Sequence, residues 1–267
     1  MLDIPPLGLG TVKFGRNQQI KYPDPFVLPE DQEILKLLSV AQTLGMNHLD
    51  TAPAYGSSEE RIGMLLEDRH GWIISSKTGE TFTDGISHYD FTPEFTIASV
   101  ERSLKRLRTD YIDIVFVHSD GSDDAIIHKY GTLDALAVLK QRGLIRSYGL
   151  SVKDPAAAVA SLPFCEALMV EYHLAMTPKQ RMATEALLEQ AMRYNRLVCV
   201  KKALVSGHLD KIRELGTDQA MDPVEASLRF VFAHPSVKNV IIGSINPQHL
   251  VVNLEAYHRA INSIKHD

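Results

Sequence analysis

The segment IDIVFVHS at residues 112–119 carries the clearest signal for the fold of this chain. Its first six residues are apolar except for Asp113, and polar residues return at its end. A strand with one solvated face alternates apolar and polar side chains, whereas a strand buried on both faces is almost wholly apolar. The segment therefore predicts a central strand that is covered on both sides, as in a parallel sheet.

Helical periodicity surrounds this strand. Residues 93–107 begin with Pro93 and repeat apolar side chains at helical spacing. Residues 132–143 form a second pattern of the same period and end on Gly143, which is a suitable C-terminal stop. A strand between two helical segments is typical of β/α units and of a parallel sheet.

The same alternation of strand and helix runs along the whole chain. The predicted pairs are 8–12 with 31–45, 46–52 with 57–68, 72–78 with 93–107, 112–119 with 132–143, 145–152 with 155–162, 167–173 with 178–195, 197–204 with 223–233, and 239–245 with 247–264. An open, doubly wound α/β sheet is the alternative, but eight even repeats favour a (β/α)8 TIM barrel with a closed parallel sheet. We expect residues 1–267 to form one such domain, because barrels of about 250 residues are routinely single domains.

Composition excludes several classes of protein. The formal net charge is −5 and no basic tail offsets it, which argues against nucleic-acid binding. No apolar run approaches the roughly 18 residues of a membrane span, and the first residues do not form a signal peptide. Cys165 and Cys199 are isolated, so no disulfide framework and no Cys-x-x-Cys motif is present. We expect a cytoplasmic protein that binds no membrane and no metal.

Four polar residues stand at or just beyond the ends of predicted strands. Asp50 ends the second strand and Tyr55 follows five residues later in the loop. Lys77 ends the third strand and His118 the fourth. Because the active site of such a barrel lies at the carboxyl ends of its strands, we expect all four side chains to converge on one mouth.

The chemistry of this set is coherent. A phenol has an ordinary pKa near 10, and a neighbouring ammonium such as that of Lys77 lowers it, so Tyr55 could transfer a proton. Asp50 could keep Lys77 charged and oriented. His118 could donate a hydrogen bond to a carbonyl oxygen.

Each of the four residues also has an ordinary structural explanation. Asp50 could cap a turn or helix, Tyr55 could pack in its loop, Lys77 could be a surface cation, and His118 could be a satisfied polar group. Their shared position favours the catalytic interpretation.

At these residues the sequence resembles the aldo-keto reductase family. The matching stretches are GLGTVKFG (8–15), LDTAPAYGSSEERIG (49–63), SSKTG (75–79), DIVFVHS (113–119), GLIRSYGLS (143–151) and IIGSINPQHLVVN (241–253). The resemblance implies a monomeric or weakly oligomeric barrel that binds NADPH or NADH across its mouth. It also implies reduction of an aldehyde or ketone, or oxidation of an alcohol or sugar, with Asp50, Tyr55, Lys77 and His118 as the catalytic residues.

The resemblance further implies a set of cofactor contacts around the barrel mouth. By position these are Gly10, Thr11, Asp50, Ser151, Glu171, Lys201, Leu204, Ser206, Gly207, Gly243, Ser244, Asn246, His249 and Asn253. The loop before the last helix would present free N–H groups to an anion.

Two departures from the family pattern concern the pocket. Lys201 stands where many members have an aromatic residue that stacks on the nicotinamide. Lys201 and Lys202 could contact phosphate, pair with acidic groups, or be one inward-facing and one solvated lysine. The eighth-strand segment lacks the Lys and Arg that many members use on the 2′-phosphate. We favour NADP, because Ser244, Asn246 and His249 can bind a phosphate, with NAD as the alternative.

Two other functions are kept as alternatives. Related barrels can serve as cofactor-binding redox sensors or regulatory subunits, which would bind the cofactor tightly and turn over slowly. A non-catalytic structural barrel would require the four polar residues to converge by coincidence.

Overall fold

A computed structural model describes residues 2–215 and 221–266 of the chain. Its strands, in chain order, are β1 (Leu7–Gly10), β2 (His48–Asp50), β3 (Ile73–Thr78), β4 (Glu80–Thr83), β5 (Ile86–Tyr89), β6 (Ile112–His118), β7 (Ile145–Ser151), β8 (Ala167–Glu171), β9 (Leu197–Lys201) and β10 (Val237–Gly243). Its α-helices are α1 (Val12–Gly15), α2 (Asp31–Thr43), α3 (Ser58–Leu65), α4 (Pro93–Leu107), α5 (Asp123–His128), α6 (Thr132–Gln141), α7 (Pro155–Ala158), α8 (Pro178–Arg193), α9 (Asp210–Arg213), α10 (Pro223–Phe232) and α11 (Pro247–His266). None of these helices is long and apolar enough to cross a membrane.

Eight of the strands form a closed parallel barrel, which confirms the predicted fold. The order around the barrel is β1, β2, β3, β6, β7, β8, β9 and β10, with β10 paired to β1. The register aligns the carboxyl ends of the strands: Gly10 lies opposite Asp50, and His118 lies opposite Ser151. Side chains at these ends therefore share one face of the barrel.

The central strand β6 is buried on both faces, as its sequence predicts. Ile114 and Phe116 belong to a cluster inside the barrel, whereas Ile112, Val115 and Val117 belong to the larger core that includes side chains of the surrounding helices. This alternation explains the continuous apolar run, since both of its faces meet apolar side chains.

The β-hairpin of β4 and β5 is absent from the sequence-based prediction. It directly follows β3, and its two strands pair antiparallel in register from Glu80 opposite Tyr89 to Thr83 opposite Ile86. Asp84 and Gly85 form its turn with positive φ angles of 52° and 79°. An Asp-Gly pair is a strong hairpin signal, but each strand here has only four residues and they do not belong to the barrel.

Gly149 shows how closely two barrel strands approach each other. A Cβ atom added at Gly149 in β7 would lie 1.7 Å from the carbonyl oxygen of Ala167 in β8. We expect Gly149→Ala to lower the free energy of unfolding by about 2 kcal/mol or more, because two paired backbones would have to separate. Denaturant unfolding measures this as a lower midpoint.

A matched substitution tests that the loss comes from the strand contact. Gly71 precedes β3 and its added Cβ would meet only the end of the Gln42 side chain, at 3.2 Å. Gly71→Ala should leave the midpoint nearly unchanged. Equal midpoints for both variants would contradict the close contact between β7 and β8.

Candidate active site

A large cleft opens at the carboxyl ends of the barrel strands. Its volume is about 1360 Å³, which exceeds the roughly 300–1,000 Å³ of a typical small-molecule pocket. Asp50, Tyr55, Lys77 and His118 all line it. The structure thus brings the four predicted residues together at one mouth.

Lys77 and Asp50 form a buried ion pair on the floor of the cleft. The Nζ of Lys77 donates to both carboxylate oxygens of Asp50, at 2.9 and 2.8 Å, and to the carbonyl oxygen of Thr51 at 2.9 Å. Burial favours loss of the proton, but Asp50 and Tyr55 outweigh it and raise the pKa of Lys77. Lys77 is therefore a fixed positive charge.

Tyr55 lies between the ammonium of Lys77 and the ring of His118. Lys77 Nζ is 4.8 Å from the centre of the Tyr55 ring, and the centres of the Tyr55 and His118 rings are 6.3 Å apart, edge to face. Burial raises the pKa of Tyr55, and Lys77 opposes this only in part. Lys77 thus lowers that pKa as expected, but burial, which sequence does not reveal, outweighs it. Tyr55 therefore holds its proton at neutral pH.

A network of polar side chains inside the barrel is hydrogen-bonded to Asp50. Ser75 Oγ donates to Asp50 Oδ1 at 2.8 Å and lies 2.9 Å from His48 Nε2. His48 Nδ1 lies 3.2 Å from the side-chain oxygen of Asn239. Burial lowers the pKa of His48 to about 4, so its ring is neutral. The network fixes the carboxylate that orients Lys77.

His118 has a carboxylate partner that the sequence analysis missed. Glu80, the first residue of β4, places Oε2 2.6 Å from His118 Nδ1. Burial lowers the pKa of His118, while the carboxylate of Glu80 acts in the opposite direction. Burial alone would raise the pKa of Glu80, but His118 and Ser87 lower it to about 2. Glu80 is therefore ionised.

The hairpin and Arg16, the residue that follows α1, together hold Glu80 in place. Ser87 Oγ on β5 donates to Glu80 Oε1 at 2.6 Å, and Arg16 Nη1 lies 3.9 Å from the same oxygen. The Arg16 guanidinium also stacks 3.4 Å over the Phe82 ring. The only signal for this arrangement in the sequence is the Asp-Gly turn, which indicates the hairpin but not its contact with His118.

All but one of the predicted cofactor contacts line the same cleft. Lining it are Gly10, Thr11, Asp50, Ser151, Glu171, Lys201, Leu204, Ser206, Gly207, Gly243, Ser244, His249 and Asn253. Asn246 does not line the cleft; its side-chain oxygen instead accepts from the backbone N–H of Gln248 in the first turn of α11. The amide nitrogen of Asn246 is the atom that could donate to a phosphate, so this contact stays a prediction.

Lys201 is a partly buried lysine that forms no ion pair with a carboxylate of the described residues. Its Nζ donates to Ser151 Oγ at 2.8 Å and to the carbonyl oxygen of Val152 at 3.1 Å. Burial lowers the pKa of Lys201 to about 7. The Lys201 side chain lines the cleft, where it is placed to bind an anionic or polar ligand.

Lys202 differs from its neighbour in pairing with an acid. It forms an ion pair with Glu171, which also contacts His173 Nε2 at 3.2 Å. Burial opposes ionisation of Glu171, but His173 and Lys202 lower its pKa to about 2. Of the alternatives for the lysine pair, pairing with an acid holds for Lys202.

Residues 19–24 also line the cleft, a contact that the sequence analysis did not predict. Tyr22 lies over β10, so closely that a Cβ on Gly243 would be 2.2 Å from its hydroxyl. His208 Nε2 lies 3.1 Å from the carbonyl oxygen of Lys21.

Within the described residues, no group of three His, Cys, Asp or Glu side chains is arranged to hold a metal ion.

Comparison with known proteins points to one family. Residues 6–211 match the model of the aldo/keto reductase family. The chain is 29% identical to the uncharacterized oxidoreductase YqkF of Bacillus subtilis, over 96% of this chain and 88% of YqkF. It is 44% identical to PA4992 of Pseudomonas aeruginosa, assigned to the aldo-keto reductases, with a TM-score of 0.84 over 97% of this chain and 92% of the other. The fold of Bacillus halodurans AKR11C1 is also similar, with a TM-score of 0.78 at 23% identity over 98% and 93% of the two chains.

Proposed function

Since this chain belongs to the aldo/keto reductase family and is therefore an NAD(P)-dependent oxidoreductase, we propose that it reduces an aldehyde or ketone with a proton from Tyr55. The reverse reaction would oxidise an alcohol or sugar. The observation that carries this proposal is the buried pair of Lys77 and Asp50 beneath Tyr55, beside His118.

The proton transfer follows from the charges around Tyr55. The phenol holds its proton at neutral pH because burial raises its pKa, so it can act as an acid towards a developing alkoxide. Lys77 stabilises the phenolate that remains, and Asp50 keeps Lys77 charged and fixed. His118 orients the carbonyl oxygen towards Tyr55.

The cleft fits a nicotinamide dinucleotide, which would supply or accept the hydride when bound. Gly243 has no side chain, so the Tyr22 hydroxyl can lie close to its backbone. A Cβ atom on residue 243 would collide with that hydroxyl. Helix α11 begins at Pro247 beside the cleft, and the N-terminus of a long helix favours a phosphate. Ser151 and Lys201 would bind polar groups near the catalytic residues.

We favour NADP over NAD because side chains at the start of α11 can bind a 2′-phosphate. Ser244 Oγ lies 3.5 Å from His249 Nδ1, and both residues line the cleft. Asn246 stays in this set through its amide nitrogen, since only its side-chain oxygen caps the helix. A cytoplasmic location and a monomeric or weakly oligomeric state remain predictions.

Cofactor titration followed by a substrate screen tests the proposal. Nicotinamide fluorescence should change on adding the protein to NADPH, and more weakly with NADH. A steady-state screen of aldehydes, ketones and sugars with both cofactors, followed by nicotinamide absorbance, then identifies the substrate and direction. Binding of neither cofactor would rule out every nicotinamide-dependent function.

Replacing His249 tests the assignment of the 2′-phosphate site. We expect His249→Ala to weaken NADPH binding by about tenfold, because a hydrogen bond to a charged group contributes about 1.5 kcal/mol or more. NADH lacks the 2′-phosphate and serves as the matched control, so its Kd should change less than twofold. Equal weakening of both cofactors would show that His249 does not select the phosphate.

A further inference from the structure

Glu80 contacts His118, and the proposed reaction described above gives Glu80 no role. Its side chain is 7% exposed, and its Oε2 is 2.6 Å from His118 Nδ1. Its other oxygen accepts from Ser87 at 2.6 Å. Among the described residues, His118 Nδ1 makes this 2.6 Å ion-pair contact and no hydrogen bond of standard geometry. The carboxylate is thus fixed on one nitrogen of the ring.

The ionised state of Glu80 determines where the His118 proton resides. A carboxylate can only accept, so the proton shared with it belongs to Nδ1. A neutral imidazole carries one proton, and its Nε2 is then an acceptor with no N–H to donate. A ring that holds Nδ1–H towards Glu80 can donate through Nε2 only after it takes up a second proton.

We propose that Glu80 is a positioning residue that makes His118 donate to the substrate oxygen as a carboxylate-paired imidazolium. The inference rests on the proposed carbonyl reduction. The hydride adds to the carbonyl carbon, the Tyr55 hydroxyl gives its proton to the oxygen, and His118 contributes a charged hydrogen bond without losing a proton. In the reverse direction, the alcohol hydroxyl returns its proton to the Tyr55 phenolate while protonated His118 again donates through Nε2. This starting state holds one proton fewer than the state that reduces the carbonyl.

A charged donor has an advantage at this position. The oxygen gains negative charge as the hydride arrives, and a hydrogen bond from a charged group is roughly twice as strong as one from a neutral group. Glu80 also fixes the ring orientation, as the buried carboxylate of a Ser-His-Asp triad does for its histidine. The hairpin that carries Glu80 is therefore part of the catalytic apparatus.

Other charged groups around His118 act against its protonation. Lys77 on β3 and Lys201 on β9 both disfavour a second positive charge on the ring. Tyr55 faces the ring but stays neutral near pH 7. Glu80 is the anion that offsets the two lysines, and Arg16, 3.9 Å from Glu80, weakens it in part.

The sign of the pH dependence follows from these charges. Carbonyl reduction requires protonated His118, so kcat/KM should fall as the pH rises through the His118 pKa. Alcohol oxidation should rise over the same range. Because Glu80 favours the imidazolium, Glu80→Gln should lower the His118 pKa by about 1 and move the descending limb of reduction by the same amount towards acid. Just above the wild-type limb, the variant should be about tenfold slower.

The test combines a spectrum of the imidazole nitrogens with a pH profile. Protein labelled with ¹⁵N-histidine is titrated without cofactor, and His118→Asn identifies the His118 signals. In the wild type, neutral His118 should be protonated on Nδ1 and bare on Nε2. Glu225→Gln is the matched control, since Glu225 contacts Arg259 at 2.6 Å on another part of the barrel, and it should change neither readout.

The outcomes separate this inference from the proposed function. An Nε2–H tautomer in neutral wild-type His118 would overturn it, and so would an unchanged His118 pKa in folded Glu80→Gln. Glu80→Asp keeps a carboxylate, so its His118 pKa should stay closer to the wild-type value than that of Glu80→Gln. If Glu80→Gln does not fold, the tautomer measured in the wild type still decides the inference. A protein without any carbonyl reductase activity would refute the proposed function while the tautomer measurement stands on its own.

Discussion

Tyr55→Phe is expected to lower kcat for carbonyl reduction by about a thousandfold, while the Kd for NADPH stays within about twofold. The variant keeps the ring that packs edge to face against His118 and removes only the hydroxyl that gives the proton. General acid catalysis by a placed group contributes about 10²- to 10⁴-fold. Steady-state rates with saturating cofactor, together with a fluorescence titration, separate the chemical step from cofactor binding.

The matched control is Tyr89→Phe, which removes the same hydroxyl from another tyrosine of the same cleft. Tyr89 ends the hairpin and stacks on Phe91 at 6.1 Å, and Lys77 does not contact it. Its loss should change kcat only a few-fold. A Tyr55→Phe enzyme that retains more than a tenth of wild-type kcat would show that another group supplies the proton.

The barrel and the four converging residues could be predicted because both depend on local pattern. A strand buried on both faces, such as Ile112–His118, has a continuous apolar run, and a polar residue at its end must emerge at the barrel mouth. Asp50 lies opposite Ser75 on the neighbouring strand, and Lys77 lies two residues further along that strand, on the same face. Their 2.8 Å contact follows from that placement.

The contacts that the sequence does not reveal are those between distant elements. Nothing near Glu80 indicates that it faces His118, which lies 38 positions later in the chain. Adjacent Lys201 and Lys202 look alike in sequence, but β9 directs one towards Ser151 and the next residue pairs with Glu171. The raised pKa of Tyr55 depends on the degree of burial, which no local pattern records.

Lys77→Met is expected to have the largest combined effect, on both activity and stability. The substitution leaves Asp50 as an unpaired buried carboxylate, because both side chains of the pair are at most 5% exposed. Breaking such a pair from one side costs about 3–5 kcal/mol of folding free energy. Carbonyl reduction should also fall by about a thousandfold or more, since the phenolate of Tyr55 loses its stabilising charge.

The double variant Asp50→Asn with Lys77→Met separates the two effects. Removing both charges abolishes the penalty of the lone carboxylate, so the double variant should recover about half or more of the stability that Lys77→Met loses. Its activity should stay as low as that of Lys77→Met, because no ammonium remains beneath Tyr55. Denaturant midpoints and steady-state rates measure the two properties on the same preparations. Recovery of activity along with stability would mean that Lys77 supports the fold of the site rather than the charge on Tyr55.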